Sequence, residues 1–350
     1  MRKTLLRSTV LSALLLAGAG SAFANSHWAT LGDREVTVVL HDDVWQEVDG
    51  RTVPLAASAR IDHFAATADA WWAAAVEPTA DGDRLFLIQG AADAVKTLPS
   101  PTLEVSGVLL QPTFILDGNG AGAGPEALVW IEGEDHQKTR VRAARWSGAD
   151  WSAPVTVSPV GPGTQIALQA TRLADGSVLA TWAAFDGKDD EIVWSRFDGE
   201  AWSEPAPISA NEVPDVTPAL KAHGDGALVV WSGYDGNDYR LYSAAFHNGT
   251  WRHGQSFGGR GSIFPVFAAV DTPVLSFQQT DPHAWAFFEL GELGRVMARA
   301  FVDPQKQRPT VVSASAGGLE LSLVGRRKAA DGSFQLGTAR TRVDWSDRVE

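Results

Sequence analysis

Residues 175–202 decide the fold, and they read DGSVLATWAAFDGKDDEIVWSRFDGEAW. Two apolar runs, VLATW and IVW, are separated by the polar segment DGKDD, and an Asp-Gly pair stands before the first run and after the second. Asp-Gly supplies the positive φ angles that tight hairpin turns require. The stretch therefore predicts short antiparallel β-strands joined by hairpins.

This pattern is repeated along the chain. Two columns of tryptophan mark the repeat, the first formed by Trp130, Trp182 and Trp231 and the second by Trp151, Trp202 and Trp251. Both columns keep a period of about 50 residues, which is typical of proteins built from stacked supersecondary units. The first column closes an apolar strand in each unit, so we expect its indoles to pack between units. Beyond the first residues, no window shows a sustained helical period.

The number of units sets the architecture. The units begin near residues 62, 112, 165, 216, 264 and 313. These six units predict an all-β fold, a six-bladed β-propeller of four-stranded antiparallel blades. Residues 34–40 form a leftover strand and residues 313–350 are short of a full blade, so we expect an N-terminal strand to close the ring by completing the last blade. The alternative is a pair of β-sandwiches, but no Pro/Ser-rich linker interrupts the repeat, and we expect a single domain over residues 25–350.

The first 24 residues have the features of an export signal. Arg2 and Lys3 give a positive start, residues 10–17 form a short apolar run, and Ala-Phe-Ala at 22–24 is a small-residue cleavage site. The apolar run is shorter than a membrane-spanning helix requires. We therefore expect residues 1–24 to be removed as a signal peptide and the protein to be periplasmic or secreted in a bacterium. The absence of cysteine excludes lipid attachment at the cleavage site.

Composition restricts the partners. The chain has 42 acidic and 29 basic residues, a formal net charge of -13. This balance opposes binding to nucleic acid and to anionic membrane surfaces. We expect no nucleic-acid partner and no membrane insertion, which leaves carbohydrate or a cell-envelope protein.

One turn of the repeat is similar to a known motif. Residues 195–202, SRFDGEAW, resemble the Asp-box turn of sialidase-like β-propellers, S-x-D-x-G-x-T-W, although Asp and Gly are adjacent here and the Thr is missing. The turns at 146–151 and 246–251 depart further from it. The resemblance implies kinship of fold with the sialidase-like propellers, in which this turn is structural and remote from the active site.

The catalytic set of that family is not recognisable. Its sialidases use three arginines, a tyrosine nucleophile with a glutamate partner, and an aspartate acid/base. Tyr234, Tyr239 and Tyr242 lie together around one hairpin, and no F/Y-R-I-P motif precedes the first full blade. The resemblance therefore implies the fold without this activity, because a fold does not determine a function.

Propeller geometry assigns the polar loops to faces. Hairpins between the second and third strands of a blade share a face with the connections between blades, and this face usually carries the ligand site. It contains the candidate ligand-binding residues, Asp186, Asp189, Asp190, Asp215, Asp235, Asp238, Tyr239 and Arg260. No residue is assigned as catalytic.

Metal binding is the alternative role for one of these hairpins. The carboxylates of Asp186, Asp189 and Asp190 could offer oxygens to Ca²⁺. The D-x-D-x-D-G register of a calcium loop is absent, so we expect a solvated hairpin tip, no metal and no cofactor, with calcium as the alternative. The eight histidines are scattered and lack the spacing of a zinc site.

These observations predict an exported, non-catalytic protein that binds carbohydrate or a cell-envelope partner. The binding surface would be the funnel face, which carries the candidate residues, or the grooves between blades. The alternative is a sialidase-like glycoside hydrolase or polysaccharide lyase that uses carboxylates such as Asp186, Asp215 and Asp235. A third interpretation is a scaffold with a partner surface on one blade.

Overall fold

A computed structural model describes residues 26–31, 34–104, 106–117, 124–303, 308–328 and 334–348. The predicted signal peptide lies outside these residues. The described residues form seven antiparallel sheets, which we number blades 1–7 in chain order, and one short 3₁₀ helix at Glu292–Gly294. None of them forms a helix long and apolar enough to cross a membrane.

The first four blades contain strands β1 to β15. Blade 1 has β1 (Ser26–Leu31), β2 (Arg34–His41) and β3 (Val44–Glu47); blade 2 has β4 (Arg60–Ala66), β5 (Ala70–Glu77), β6 (Arg84–Ala91) and β7 (Val95–Leu98); blade 3 has β8 (Val108–Leu116), β9 (Pro125–Gly133), β10 (Thr139–Arg145) and β11 (Val155–Ser158); blade 4 has β12 (Gln165–Arg172), β13 (Val178–Phe185), β14 (Asp190–Phe197) and β15 (Ala206–Pro207).

The last three blades contain the remaining strands. Blade 5 has β16 (Asp215–His223), β17 (Gly226–Tyr234), β18 (Tyr239–His247) and β19 (Thr250–His253); blade 6 has β20 (Ile263–Phe267), β21 (Val274–Thr280), β22 (His283–Leu290) and β23 (Val296–Val302), extended by β27 (Asp347–Arg348); blade 7 has β24 (Thr310–Ser315), β25 (Gly318–Lys328) and β26 (Phe334–Asp344).

The prediction of an all-β propeller with four-stranded antiparallel blades is confirmed, but the number of six blades is wrong. Strands β1 to β3, expected to be leftover strands, form a separate blade. This blade has its own apolar layer, with Val36, Val38 and Trp45 packed against Trp71 of blade 2. It buries enough apolar surface to stand as a sheet, so the ring has seven blades.

The expected closure by an N-terminal strand is also wrong. Within the described residues, β1 pairs with β2, and blade 7 consists of β24 to β26 without an N-terminal strand. Blades 7 and 1 meet through side chains instead. Glu35 and Arg340 form an ion pair across this junction, and Ser26 and Ser322 line a narrow cavity there.

Apolar side chains fill the spaces between blades. Trp130 packs with apolar residues of blade 2, Trp182 with those of blade 3, and Trp231 with those of blade 4. Their exposed fractions are 0%, 0% and 2%. The interpretation of this column as inter-blade packing is confirmed. A buried aromatic ring at each junction fixes the angle between neighbouring blades because it is large and rigid.

The first strands of blades 1 to 6 contact one another in succession around the centre. In four of these strands a β-bulge contains a non-glycine residue with positive φ, namely Gln111, Ala167, Thr217 and Phe264. Neighbouring blades hold two of them: the Ala167 N–H donates to Gln111 Oε1 at 3.0 Å, and the Phe264 N–H donates to Ser232 Oγ at 3.2 Å. These bonds help to hold a backbone conformation that non-glycine residues rarely adopt.

Candidate functional site

A cleft of about 620 Å³ lies between blades 4 and 5. Its walls come from the connection between β15 and β16 and from the strands of blade 5 that face it. The lining residues are Ile208, Ser209, Ala210, Asn211, Val213, Asp215, Trp231, Tyr234, Asp235, Tyr242 and His253. The cleft opens on the face that carries the β17–β18 hairpin, so it combines an inter-blade groove with the loop face.

Aromatic side chains form one wall of the cleft. Trp231 of β17 is paired in register with Tyr242 of β18, and their rings stack with centroids 6.1 Å apart at an interplanar angle of 22°. The exposed imidazole of His253 makes an edge-to-face contact with Trp231, with ring centroids 6.1 Å apart. Trp231 is buried, whereas Tyr242 and Tyr234 are half-buried. The tyrosines therefore supply most of the accessible aromatic surface, with the tryptophan behind them.

Two buried carboxyl groups lie at and beside the cleft. Glu191 is the second residue of β14 and Asp215 is the first residue of β16, and they are 4% and 3% exposed. Glu191 accepts hydrogen bonds from Ser209 Oγ and the Asn211 N–H, both at 2.6 Å. Asn211 Nδ2 in turn donates to Asp215 Oδ2 at 2.7 Å. This network folds the inter-blade connection against blade 4 and holds Asp215 at the cleft.

A glycine behind Asp215 makes room for this arrangement. Gly233 is paired with Asp215 in the β16–β17 register. A Cβ atom at residue 233 would lie nearer than 3.0 Å to Asp215 Oδ1 and 2.7 Å from Tyr242 Cδ2. The absence of a side chain at this position lets the carboxyl and the aromatic ring approach the same stretch of β17.

The two carboxyl groups that line the cleft have opposite electrostatic environments. Burial raises the pKa of Asp215, and the negative charge of Asp189 raises it further. The pKa of Asp235 is lowered, chiefly because its carboxylate accepts hydrogen bonds from the backbone N–H groups of Asp238 and Asn237 at 2.8 and 2.9 Å, and then because Arg240 lies 3.0 Å away. Asp235 therefore favours its charged form, whereas Asp215 holds its proton more readily than an exposed aspartate.

Two other buried acids, Glu47 and Glu132, are paired with arginine. Glu47 forms ion pairs with Arg34 at 2.7 Å and with Arg51, and Glu132 forms one with Arg140 at 2.9 Å. Within the described residues, neither Glu191 nor Asp215 forms an ion pair with arginine or lysine. The negative charge at the cleft therefore lacks the local compensation that the other buried acids have.

The tyrosines around the cleft experience this negative charge. Burial raises the pKa of Tyr239 to about 12, with contributions from Asp190, Tyr234 and Asp215. Burial likewise raises the pKa of Tyr242, and the charges of Asp235 and Asp215 add to the effect. Both hydroxyl groups are therefore neutral hydrogen-bonding groups near neutral pH.

The β13–β14 hairpin brings three acids together. Single carboxylate oxygens of Asp186, Asp189 and Glu191 lie within 4.8 Å of one another, and such oxygens suit a hard cation. Asp186 already accepts hydrogen bonds from the backbone N–H groups of Lys188 at 2.7 Å and Asp189 at 3.2 Å. These bonds, the first of them foremost, lower the pKa of Asp186. The backbone hydrogen bonds of the turn therefore stabilise the charged Asp186 carboxylate without a bound ion.

The eight candidate residues predicted from the sequence lie at the β13–β14 and β17–β18 hairpins and at the connections that follow blades 4 and 5. Only Asp215 and Asp235 line the cleft. Asp238 forms an ion pair with Arg260 at 3.1 Å, which links the β17–β18 hairpin to the connection leading to blade 6. Asp190 lies near Tyr239, and Asp186 and Asp189 lie beside Glu191.

Sequence reasoning missed several residues of the cleft. The sequence predicts Trp231 only as a packing residue between blades. Tyr242, Asn211 and Glu191 are not among the eight candidate ligand-binding residues. A signal for Tyr242 existed, because hairpin register places it opposite Trp231 once the turn at 235–238 is recognised. Glu191 and Asn211 meet only through the path of the inter-blade connection, which has no local sequence signal.

No protein-family model matches the chain, and no curated protein matches it. Among solved structures it is similar to AofleA from Arthrobotrys oligospora, with 12% identity, a TM-score of 0.45, and coverage of 77% of this chain and 76% of that one. It is also similar to the polysaccharide lyase Uly1, with 9% identity, a TM-score of 0.46, and coverage of 82% and 81%.

A further similar structure is a Trypanosoma rangeli sialidase in complex with a difluorinated nononic acid, with 12% identity and a TM-score of 0.48. The match covers 91% of this chain but 58% of the sialidase chain. Likeness at these levels of identity and TM-score carries no argument about function. The chain is a seven-bladed β-propeller by its own strand pairing, and its candidate site is the cleft between blades 4 and 5.

Proposed function

We propose that this protein binds carbohydrate through the cleft between blades 4 and 5. One observation carries the proposal: a cleft of about 620 Å³ is lined by aromatic side chains beside fixed polar groups. Its volume falls within the range of roughly 300–1,000 Å³ that is usual for small-molecule sites. The export predicted from residues 1–24 belongs to the same proposal, because an exported binding protein has access to extracellular and envelope glycans.

The two walls suit the two kinds of surface on a sugar ring. The faces of Tyr242 and Tyr234 offer apolar area to the C–H groups of a pyranose, and aromatic residues give such area at little conformational cost. Asp215 and Asn211 offer hydrogen-bonding groups to the ring hydroxyls. The Glu191 network holds both in place before a ligand arrives, which lowers the entropic cost of binding.

A glycan array followed by isothermal titration calorimetry on residues 25–350 tests the proposal. We expect Tyr242→Ala to weaken binding of the best glycan by about tenfold or more, equivalent to about 1.4 kcal/mol. Phe301→Ala is the matched control, because Phe301 is an aromatic residue of blade 6 with 39% exposure that lies outside the cleft. An array without a bound glycan contradicts the proposal, as does equal affinity in Tyr242→Ala and Phe301→Ala.

A second candidate function is hydrolysis of a glycosidic bond. It is supported by the opposite pKa shifts of the two cleft carboxyls, raised in Asp215 and lowered in Asp235. In glycoside hydrolysis a carboxyl with a raised pKa donates a proton to the leaving oxygen, while an ionised carboxylate acts as base or nucleophile. Asp215 would be the acid and Asp235 the ionised partner.

Release of reducing ends from the bound glycan tests this second candidate. We expect Asp215→Asn to abolish turnover while calorimetry still detects glycan binding. Asp198→Asn is the control, because Asp198 accepts backbone hydrogen bonds at the β14–β15 turn as Asp235 does at its own hairpin. Turnover that persists in both Asp215→Asn and Asp235→Asn excludes the assigned roles.

A further inference from the structure

We infer that the cleft between blades 4 and 5 selects sugars that carry a protonated amine over neutral and acidic sugars. This inference rests on the proposed carbohydrate binding and specifies the class of ligand. It depends on three features of the cleft: its charged lining, the missing counter-charge of its buried acids, and the aromatic wall beside them.

The charged lining is acidic. Asp215 and Asp235 line the cleft, and no lysine or arginine among the described residues does. Arg240 holds Asp235 at 3.0 Å without itself lining the cleft. In the part of the chain that the structure describes, the lining has one side chain of a basic type, the imidazole of His253. An ammonium group that enters the cleft therefore meets carboxylates at close range.

The buried acids supply the second feature. The chain places arginine beside the buried carboxylates of Glu47 and Glu132, as ordinary protein electrostatics require. Glu191 and Asp215 are just as buried but have hydrogen bonds from Ser209 and Asn211 in place of ion pairs within the described part of the chain. A cation bound next to Asp215 would supply the counter-charge that arginine gives elsewhere.

The aromatic wall supplies the third feature. The stacked rings of Trp231 and Tyr242 stand at the same cleft as Asp215. Aromatic faces attract cations through the ring quadrupole, most strongly where water is excluded. A carboxylate and aromatic rings around one cavity form a suitable environment for an amine on a sugar, whose ring still stacks on the tyrosines.

The same charges oppose acidic sugars. A uronate or sialate carboxylate in the cleft would face Asp215 and Asp235, and would lie near Asp189 and Glu191 of blade 4. Placing like charges together at an interface is unfavourable unless a proton or cation intervenes. Arg260, on the same face, is already held by Asp238 at 3.1 Å.

Calorimetry with three oligosaccharide series of equal length tests the inference: β-linked glucosamine, its N-acetylated form, and galacturonate. We expect glucosamine oligomers to bind about tenfold or more tightly than the acetylated series, and galacturonate to bind most weakly. Added NaCl should reduce the preference for the amine, because salt screens partly exposed charges.

Asp215→Asn identifies the source of the preference. We expect this variant to bind the glucosamine and acetylated series with similar affinity, while Asp198→Asn keeps the wild-type preference. Asp235→Asn is a second variant in case Asp215→Asn does not fold, because Asn Oδ1 can still accept the turn hydrogen bonds; it should reduce the preference to a smaller extent. Circular dichroism confirms folding in each case.

The outcomes distinguish failure of the amine selectivity from failure of the proposed carbohydrate binding. If acetylated or acidic oligomers bind as tightly as the amine series, the selectivity is wrong while carbohydrate binding stands. If the amine preference survives in both Asp215→Asn and Asp235→Asn, the assigned residues are wrong. If none of the three series binds and the glycan array is empty as well, the proposed function itself fails.

Discussion

Substitution of Gly233 by alanine tests whether β17 positions the two walls of the cleft. The added Cβ would lie nearer than 3.0 Å to Asp215 Oδ1, and 2.7 and 2.8 Å from Tyr242 Cδ2 and Cε2. Such separations are shorter than van der Waals contact, so the carboxyl, the ring or the strand must move. Insertion of a methyl group into a packed site of this kind costs about 1–3 kcal/mol.

The expected result has two parts. Urea denaturation of Gly233→Ala should show a loss of about 1–3 kcal/mol in the free energy of unfolding. Its affinity for the best glycan should also fall by about tenfold or more, because Asp215 and Tyr242 are displaced together. The two losses have one structural cause.

Gly161→Ala is the matched control. A Cβ at residue 161 meets nothing nearer than Gly163 O at 4.0 Å, and the residue does not have a positive φ. Alanine there should leave stability unchanged or raise it by about 0.4–1 kcal/mol through the unfolded state. If Gly233→Ala matches Gly161→Ala in both stability and glycan affinity, the argument that Gly233 sets the geometry of the cleft is refuted.

Three further substitutions test the fold around the site. Trp182→Ala should lower the free energy of unfolding by about 3–5 kcal/mol in urea denaturation, because it empties a fully buried inter-blade position; a loss below about 1 kcal/mol would contradict the packing role. Glu132→Gln should cost about 1–3 kcal/mol, because it removes the charged acceptor of Arg140, which keeps its ion pair with Glu104 at 3.0 Å; a neutral effect would show that the buried ion pair contributes nothing. Burial lowers the pKa of His63 from 6.5 to about 4, so the folded protein favours the neutral ring. The free energy of unfolding is therefore highest above pH 6.5 and falls by at most about 3 kcal/mol as the pH drops towards 4. His63→Asn keeps an acceptor for the Phe114 N–H and should flatten this difference in a pH series of unfolding curves; an identical pH dependence in both proteins would exclude the assignment.

The repeat was readable from the sequence because its physical causes are local. Asp-Gly at hairpin turns and a tryptophan at the end of an apolar strand follow from backbone geometry and burial. The extra blade was not readable. Only one Asp-Gly pair, Asp49-Gly50, accompanies strands β1 to β3, and the evidence that they form a blade is tertiary, in the contact of Val36 and Trp45 with blade 2.

In the cleft, too, some residues have a local sequence signal and others depend on tertiary contacts. Asp215 and Asp235 were predicted because polar residues at strand starts and hairpin tips share one face of a propeller. Glu191 could not be identified, because its role depends on hydrogen bonds with residues about 20 positions later in the inter-blade connection. The positive φ of Ala167 and Thr217 likewise has no signal in their residue types, since these conformations are imposed by bulges next to a neighbouring blade.

A crystal structure of the protein with a glucosamine oligomer tests directly whether the cleft between blades 4 and 5 binds an amine-bearing sugar. We expect density for a sugar ring stacked against Tyr242, with the amine nearest the Asp215 carboxyl. A sugar bound at the mouth of the central channel or on the outer rim, with the cleft empty, would contradict it.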